Sequence, residues 1–302
     1  MLRSFRACAL CLVAAASLRA QADPSWAWAR MTRDVTRIAD AAEGRVGVFI
    51  QSLDTRETFS LRADEVFPAA STIKLALLLE LYRQCEKPGP RLTDPYAVDP
   101  RDLAEDSAIL GNLAPGTRLT LHDLALFTVV VSDNSATNIL IDRVGMDRVN
   151  AALDALGLTR TRLRRKMMDA KAAAEGRENV ATPRELARLV TEIHSGPTLS
   201  PASRAGLMKL LSIPKDSYLS RLLPDGLVVA DKTGSLQGVR NDVGIVFVKG
   251  RPFVVAVMAS HLRDDREGEA VIARIARKAA AWMELAGASS PEGRVSGTLQ
   301  VP

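Results

Sequence analysis

The sequence predicts an α+β fold in which a five-stranded antiparallel sheet, built from both ends of the chain, is interrupted by an all-helical block. Segments typical of strands lie near the beginning and near the end of the chain. The long stretch 71–215 between them has apolar residues at helical spacing and glycines that end helices. The 302 residues, 47% of them apolar, are enough to form a substantial core.

The first elements of this fold are a helix and a hairpin. Trp26 to Ala42 has apolar residues near helical spacing and is followed by Gly44, which suits a helix end. Val46 to Gln51 and Glu57 to Leu61 are typical of strands, and the turn Asp54-Thr55-Arg56 connects them. The start of the folded chain therefore supplies two strands and one covering helix.

The other three strands and a second covering helix lie near the end of the chain. The predicted strands are Leu227 to Asp231, Val243 to Val248 and Phe253 to Ser260. The turn Lys249-Gly250-Arg251-Pro252 separates the last two strands. Ala270 to Leu285 has the pattern of an amphipathic helix.

These elements divide the chain into four parts. We expect a signal peptide at 1–22, a sheet subdomain made of 23–67 and 216–288, a helical subdomain at 68–215, and a disordered tail at 289–302. With this division, a functional site is expected at the seam between the two subdomains.

The first residues predict export. Arg3 and Arg6 precede an apolar run from Ala7 to Leu18, and Ala20-Gln21-Ala22 has the small residues of a cleavage site. The run is shorter than the ~20 residues that a transmembrane helix needs, and no later stretch reaches that length. We therefore expect a periplasmic or secreted protein, cleaved near Ala22, with no stable membrane insertion.

The charge of the chain does not indicate a nucleic-acid partner. The signal segment contains three of the 40 basic residues and none of the 35 acidic ones, which leaves a net charge of +2 after cleavage. The one basic cluster has no interleaved aromatic residues and is interpreted as a solvated face. Its members are Arg160, Arg162, Arg164, Arg165 and Lys166. We expect a monomer that binds a small molecule.

The strongest chemical signal is the pair Ser71 and Lys74 at the start of the apolar segment Pro68 to Leu81. In a helix, residues three apart share a face, so the amine can reach the hydroxyl. A lysine acts as a base when burial and a neighbouring cation lower its pKa. A second pair with this spacing, Ser212 and Lys215, is interrupted by Pro214 and is interpreted as a chance match in a loop.

Two further motifs extend this site. Ser132-Asp133-Asn134 follows the apolar helix predicted at Leu121 to Val131, and Lys232-Thr233-Gly234 follows a predicted strand. Alone, Asn134 is typical of a cap or turn and Thr233 of a strand. The three motifs in this order resemble those of class A β-lactamases and penicillin-binding serine hydrolases, and the order of elements resembles that family along nearly the whole mature chain.

This resemblance implies a role for each matching residue. Ser71 would attack a carbonyl to form an acyl-enzyme, Lys74 would accept its proton, and Ser132 would pass a proton to the departing nitrogen. Asn134 would hold the side-chain amide of the substrate. The implied substrate is a β-lactam or an acyl-D-Ala-D-Ala-like molecule, and the implied biological role is β-lactam breakdown in antibiotic resistance.

The resemblance also implies a carboxylate site on the predicted strand. Lys232, Thr233 and the hydroxyl of Ser235 would bind the substrate carboxylate, while the backbone N–H groups of Ser71 and Ser235 would form an oxyanion hole. Gly234 would let the substrate approach the strand closely. The carboxylate-binding arginine of some relatives is missing, and Arg240 is a candidate to replace it.

One family motif is absent. The ExxLN loop, whose glutamate holds the deacylating water, is replaced by a sequence that places Arg165 on the loop arginine and Met167 about where the glutamate should be. The nearest acids, Asp169 and Glu175, are candidate surrogate bases, although acids in polar loops are usually solvated or paired. We therefore expect acylation to survive and deacylation to be slow.

Other enzyme classes fit the sequence less well. The only histidines, His122, His194 and His261, have no metal-binding spacing, and no GxSxG motif marks a histidine-based serine hydrolase, so we expect neither metal nor cofactor. Two readings remain open beside the β-lactamase. They are a peptidoglycan D,D-peptidase or small-ester esterase, and a penicillin sensor that stays acylated.

Overall fold

The computed structural model describes residues 26–301 except 108, 115 and 291–293, so the predicted signal peptide lies outside the described residues. The helices are α1 (Trp26–Asp40), α2 (Lys74–Cys85), α3 (Leu121–Val130), α4 (Asn134–Val144), α5 (Met146–Ala155), α6 (Ala170–Ala174), α7 (Pro183–Ser195), α8 (Pro201–Leu211) and α9 (Asp265–Ala288). The strands are β1 (Arg45–Ser52), β2 (Thr58–Leu61), β3 (Phe67–Pro68), β4 (Pro95–Ala97), β5 (Arg118–Thr120), β6 (Val180–Ala181), β7 (Val229–Leu236), β8 (Val239–Val246) and β9 (Phe253–Ser260). Three 3₁₀ helices span Ala70–Ile73, Pro100–Asp102 and Leu110–Asn112.

The main sheet joins both ends of the chain. Its strand order is β2-β1-β9-β8-β7, and all neighbours are antiparallel. The last strand, β9, lies in the centre, where Arg45 of β1 pairs with Ser260 and Arg240 of β8 pairs with Ala259. Every residue of β9 is buried, as expected for a central strand with both faces covered. The predicted α+β fold with a five-stranded antiparallel sheet is confirmed.

The sheet separates two apolar cores. One face packs against α1 and α9, with Met31 and Ile275 fully buried between the layers. The other face packs against the helices around α2, whose Leu75 and Leu78 are fully buried. Among the described residues, no helix has the length and apolar character needed to cross a membrane.

The apolar segment predicted as one helix from Pro68 to Leu81 has three parts. Pro68 ends β3, the 3₁₀ helix Ala70–Ile73 follows, and the α-helix starts only at Lys74. Ala70 has a φ of 48°, a left-handed conformation that an α-helix does not contain. The prediction of one continuous helix was therefore wrong at its start, and Ser71 lies in the 3₁₀ turn.

Strand β7 extends past its predicted end at Asp231 to Leu236, so Lys232-Thr233-Gly234 lies inside the strand. Polar residues obscured this in the sequence. They continue the ladder because β8 pairs with them through Val243, Asp242 and Asn241. The lysine of this motif is therefore held by strand pairing, which fixes its direction.

The block 68–215 also contains parts of two small sheets. Phe67 of β3 pairs with Ala181 of β6, and Tyr96 of β4 pairs with Leu119 of β5. Strands of two or three residues leave almost no alternation in a sequence, so they were not predicted. The β3–β6 pair attaches the segment before the 3₁₀ helix to the end of the loop 164–179.

The described part of the tail lies against α9. The carboxylate of Glu284 accepts the backbone N–H groups of Gln300 and Val301, both at 2.8 Å. Val301 is 6% exposed and belongs to the apolar core on the α1–α9 side. This order differs from the predicted disordered tail, because a buried carboxylate on α9 satisfies backbone groups that composition alone leaves free.

Candidate active site

The 3₁₀ turn that carries Ser71 is held from three directions. The Thr72 hydroxyl donates to the carbonyl of Ala69 at 2.6 Å, and the Ala69 N–H donates to the carbonyl of Asn179 at 2.8 Å. The Asn241 side chain on β8 donates to the carbonyls of Pro68 and Ala69, at 2.8 and 3.1 Å. These contacts keep the strained Ala70 in place and present Ser71 at the wall of a pocket.

Lys74 is completely buried directly after this turn. Its Nζ donates to the carbonyl of Ser132 at 2.7 Å, to Ser132 Oγ at 3.1 Å, and to Asn134 Oδ1 at 3.1 Å. Burial and the nearby charge of Lys232 lower the pKa of Lys74 well below its usual range, while Asp133 acts in the opposite direction. A lysine whose pKa is lowered in this way loses its proton more readily and can then act as a base.

Ser132-Asp133-Asn134 connects α3 to α4. Ser132 has a φ of 55°, which turns the chain toward Lys74. Asp133 caps α4 by accepting the Ala136 N–H at 2.9 Å. The same carboxylate accepts the Ile109 N–H at 2.9 Å and therefore fixes a neighbouring loop as well. The sequence motif contained Asp133 but gave it no role, and in the structure it positions the two residues beside it.

Lys232 brings a second buried ammonium group to Ser132. Its Nζ donates to Ser132 Oγ at 3.1 Å and to the Thr233 carbonyl at 2.9 Å. Burial lowers the pKa of Lys232 to about 8, although Asp231 and Asp242 raise it in part. Ser132 Oγ thus accepts from two lysines, one on α2 and one on β7. The structure joins the three sequence motifs through this one hydroxyl.

Gly234 brings β7 against the serine turn. A Cβ on this residue would lie 3.0 Å from the carbonyl oxygen of Ala69 and 3.0 Å from the backbone nitrogens of Ser71 and Thr72. Such distances are shorter than ordinary contacts, so only glycine fits without movement. Ser235, the next residue, is exposed and lines the pocket, whereas Thr233 is half-buried.

The pocket at this seam has a volume of about 520 Å³. Its walls come from the serine turn, the α3–α4 connection, the loop 164–179 and β7. The lining residues are Ala70, Ser71, Asp106, Val131, Ser132, Asn134, Arg165, Met167, Met168, Ala170, Ala173, Asn179, Ser235 and Leu236. The predicted seam between the helical block and the sheet is thus where the pocket lies.

Met167 is fixed in the pocket wall by Asn138 of α4. The Met167 N–H donates to Asn138 Oδ1 at 2.8 Å, and Asn138 Nδ2 donates back to the Met167 carbonyl at 3.1 Å. Met167 is 8% exposed. Its thioether lies in the loop where the resemblance to the family predicted a carboxylate. Sequence reasoning missed Asn138. Its position one helical turn after Asn134 was the available signal.

The loop 164–179 is closed by polar contacts at its base. Arg165 Nη2 donates to Glu178 Oε1 at 2.8 Å. The Asn179 side chain accepts the N–H groups of Arg164 and Arg165, at 2.7 and 3.1 Å, and donates to the Arg165 carbonyl at 3.1 Å. The loop therefore keeps a defined shape without the family's acidic motif.

Neither candidate surrogate base lines the pocket. Asp169 is exposed and caps α6 by accepting the Ala172 N–H at 2.9 Å. Glu175 is exposed and forms an ion pair with Arg177 at 2.5 Å. The structure thus assigns both acids to loop structure and does not bring them to Ser71.

Arg240 does not face a substrate carboxylate either. It forms ion pairs with Asp265 at 3.0 Å and Glu269 at 2.9 Å and is mostly buried. Lys215, from the second Ser-x-x-Lys match, lies in the connection between α8 and β7, as predicted for a loop. Its Nζ forms a buried ion pair with Asp231 at 2.8 Å.

Comparison with known proteins agrees with this geometry. The model of the "Beta-lactamase enzyme family" matches residues 30–283. A β-lactamase from Streptomyces fradiae is 30% identical over 275 residues, covering 87% of this chain and 89% of that protein.

Solved structures of β-lactamases and of a penicillin-binding protein also match this chain. The β-lactamase from Sphaerobacter thermophilus has a TM-score of 0.79 and 36% identity, covering 84% of this chain and 97% of that one. A mutant of PBP-A, solved as an acyl-enzyme complex with penicillin G, has a TM-score of 0.76 and 27% identity, covering 83% of this chain and 95% of that one. With the same fold over most of its length and with the serine and two lysines at the seam, the chain belongs to the class A β-lactamase family of serine hydrolases.

Proposed function

We propose that the protein is an exported enzyme whose Ser71 is acylated by β-lactams. The acyl group is then hydrolysed from Ser71 only slowly. The observation that carries the proposal is the buried lysine network: Lys74 Nζ and Lys232 Nζ each lie 3.1 Å from Ser132 Oγ. The network gives a base of low pKa beside the serine turn and a hydroxyl that can pass a proton onward.

The proposed reaction begins at Ser71. Lys74 accepts the hydroxyl proton while Ser71 Oγ attacks the lactam carbonyl, and the N–H groups of Ser71 and Ser235 stabilise the oxyanion. Ser132 then donates a proton to the nitrogen as the ring opens and is reprotonated through its lysine neighbours. Asn134, already held by Lys74, is well placed to bind the acyl side-chain amide.

The carboxylate of the substrate would bind at β7. Lys232 supplies the charge, while Thr233 and the pocket-lining Ser235 supply hydroxyl groups. Because Arg240 is engaged by two acids, no arginine from β8 shares this task. Binding should therefore depend strongly on the protonation of Lys232.

Slow hydrolysis of the acyl-enzyme follows from the residues of the loop 164–179 at the pocket. Met167 offers no proton acceptor to a water molecule, and Asp169 and Glu175 do not line the pocket. The likeness to PBP-A, seen as a penicillin G acyl-enzyme, supports a fold able to retain the adduct. Met167 at this position also favours one alternative, a D,D-peptidase or small-ester esterase that uses the acylating residues on other substrates.

The test is mass spectrometry of mature protein mixed with penicillin G. We expect an adduct on the peptide containing Ser71 that outlasts the free drug. Lys74→Ala should slow its formation by about 10²- to 10⁴-fold, because it removes the base. Lys171→Ala, on the exposed face of α6, is the matched control and should leave the rate unchanged.

Two results would contradict the proposal. Rapid turnover without a trapped adduct would refute slow release, and no adduct with any penicillin or cephalosporin would refute the β-lactam substrate. In the second case, hydrolysis of D-Ala-D-Ala peptides or short esters by the same sample would favour the alternative.

A further inference from the structure

Two buried carboxylates lie side by side behind the lysine network. Asp231 on β7 and Asp242 on β8 are each 1% exposed. One oxygen of each is satisfied: Asp231 Oδ1 by Lys215 at 2.8 Å, and Asp242 Oδ2 by the Leu219 N–H at 3.0 Å. The other two oxygens, Asp231 Oδ2 and Asp242 Oδ1, have no hydrogen-bond donor among the described residues.

The strand register brings these two oxygens together. Asp242 pairs with Thr233 and Asp231 pairs with Gly244, so both acids lie on one face of neighbouring strands, diagonally opposed. A Cβ on Gly244 would lie 2.6 Å from the Asp231 Cβ, so glycine leaves the room that Asp231 occupies. The two side chains are close enough for a hydrogen bond between them. Two ionised carboxylates contain no donor, so such a bond requires a proton on one of them.

On the face of the sheet that carries the pair, the cations in contact balance one negative charge only. On this face, the cation in contact with the pair is Lys215, which is itself 3% exposed. Arg240, the next residue on the same face of β8, is already paired with Asp265 and Glu269 of α9. Tyr218 is neutral, and β9 contributes the apolar Val257. A second buried negative charge would therefore have no partner on this face, at a large desolvation cost.

We propose that Asp231 and Asp242 share one proton between their unsatisfied oxygens, and that this proton sets the pH range in which Lys232 remains cationic. One proton satisfies both unpartnered atoms and leaves a net charge of −1 opposite Lys215. The direction of the pKa of Asp242 agrees, since burial and the neighbouring Asp231 raise it well above its ordinary value.

The pair acts on the active site through Lys232, and it is therefore a positioning pair and not a catalytic one. Both acids raise the pKa of Lys232, against the larger effect of burial. When the shared proton leaves at high pH, the second negative charge strengthens this support, so Lys232 keeps its own proton longer. The charge of the aspartate pair on β7 and β8 thus stabilises the Lys232 cation as the pH rises.

Infrared spectroscopy of the wild-type protein tests the proton directly. We expect the C=O stretch of a protonated carboxylic acid at neutral pH, where free aspartates are ionised. Asp242→Asn should remove the band, because its amide N–H replaces the shared proton. Glu284→Gln is the control: that buried carboxylate accepts two backbone N–H groups and should not contribute to the band. Absence of the band in wild type would overturn the proposal.

Thermal melting gives a second readout that does not involve substrate. A carboxyl whose pKa is raised on folding stabilises the fold most below its unfolded pKa, and this stability is lost as pH rises toward its folded pKa. Between about pH 5 and about pH 8, the melting temperature of the wild type should therefore decrease more than that of Asp242→Asn. Equal losses in the two proteins would contradict the shared proton.

The link to Lys232 rests on the proposed function and is tested by the pH profile of acylation. In Asp242→Asn the pH at which acylation falls to half on the alkaline side should be lower by about one pH unit. The reason is that the second negative charge of the pair, which supports the Lys232 cation, can no longer form. An unchanged half-point alongside the expected infrared result would overturn this link alone. Failure of wild type to be acylated would instead refute the proposed function, while the infrared result would still decide the shared proton.

Discussion

Ser132 illustrates how much chemistry one hydroxyl can connect. It lies 3.1 Å from each of two buried ammonium groups, and its two lone pairs let it accept a hydrogen bond from both at once. Under the proposed mechanism this arrangement is useful, because a proton given to the substrate can be replaced from either side. The left-handed φ of 55° at Ser132 is the local cost of that position.

Met167 gives the clearest single-residue prediction. Met167→Glu should raise the deacylation rate of the penicillin adduct by about 10²-fold, because it adds a general base to the wall of the pocket. The backbone of residue 167 is already fixed by Asn138, so the new carboxylate should point where the thioether does. The measurement is the decay of the adduct after free penicillin is removed.

Two matched variants interpret that result. Met167→Gln has nearly the same shape without a base and should leave release slow. Ala174→Glu adds the charge at an exposed residue of the same loop that does not line the pocket, and it should have a much smaller effect. If Met167→Gln releases the adduct as fast as Met167→Glu, the absence of a base is not the cause of slow release.

The contact between β7 and the 3₁₀ turn is the element-scale counterpart of this chemistry. Gly234→Ala places a Cβ 3.0 Å from two backbone nitrogens, including that of Ser71. Because backbone cannot move aside as a side chain can, we expect the strand and the turn to separate. Acylation should fall by at least about tenfold, consistent with misplacement of reacting groups.

Gly206→Ala is the matched control for this strand variant. Gly206 lies within α8, where a Cβ would be 3.5 Å from the Tyr82 ring, an ordinary contact. Alanine should stabilise the helix by about 0.5–1 kcal/mol and leave acylation unchanged. Normal acylation by a folded Gly234→Ala protein would contradict the close-approach argument.

The elements that the sequence predicted well are those with long, regular patterns. The apolar helix at Leu121 to Val131 and the strand Phe253 to Ser260 lie almost where they were expected. The errors occur where polar residues continue a strand, as at Lys232, or where a turn interrupts an apolar run, as at Ala70. Both exceptions serve the site, where local preference yields to the geometry that the chemistry needs.

At the site itself, short motifs identified the residues but not their environment. They predicted Ser71 and Lys74, because their spacing places both side chains on one turn, and the resemblance to the family added Ser132. They could not predict that Asp169 caps a helix, because an isolated acid in a loop has no periodic pattern. They also gave no role to Asp231 and Asp242, whose proximity arises only from strand register.

The whole molecule depends on two cores divided by one sheet. Leu78 of α2 is completely buried in the core on the side of the helical block. Leu78→Ala should lower the free energy of unfolding by about 2–5 kcal/mol, through lost burial and a new cavity. Urea titration followed by circular dichroism measures this loss, and a change below about 1 kcal/mol would mean that the site collapses around the cavity.

The central position of β9 has a consequence for the order of synthesis. The strand joins β1, made near the start, to β8, yet it is the last strand to leave the ribosome. Until it emerges, the first hairpin has no partner and the two halves of the sheet cannot join. Such long-range pairing folds slowly and only once the chain is nearly complete. A nascent chain that stops before Phe253 should therefore lack the joined five-stranded sheet, and its serine should not yet react with a penicillin.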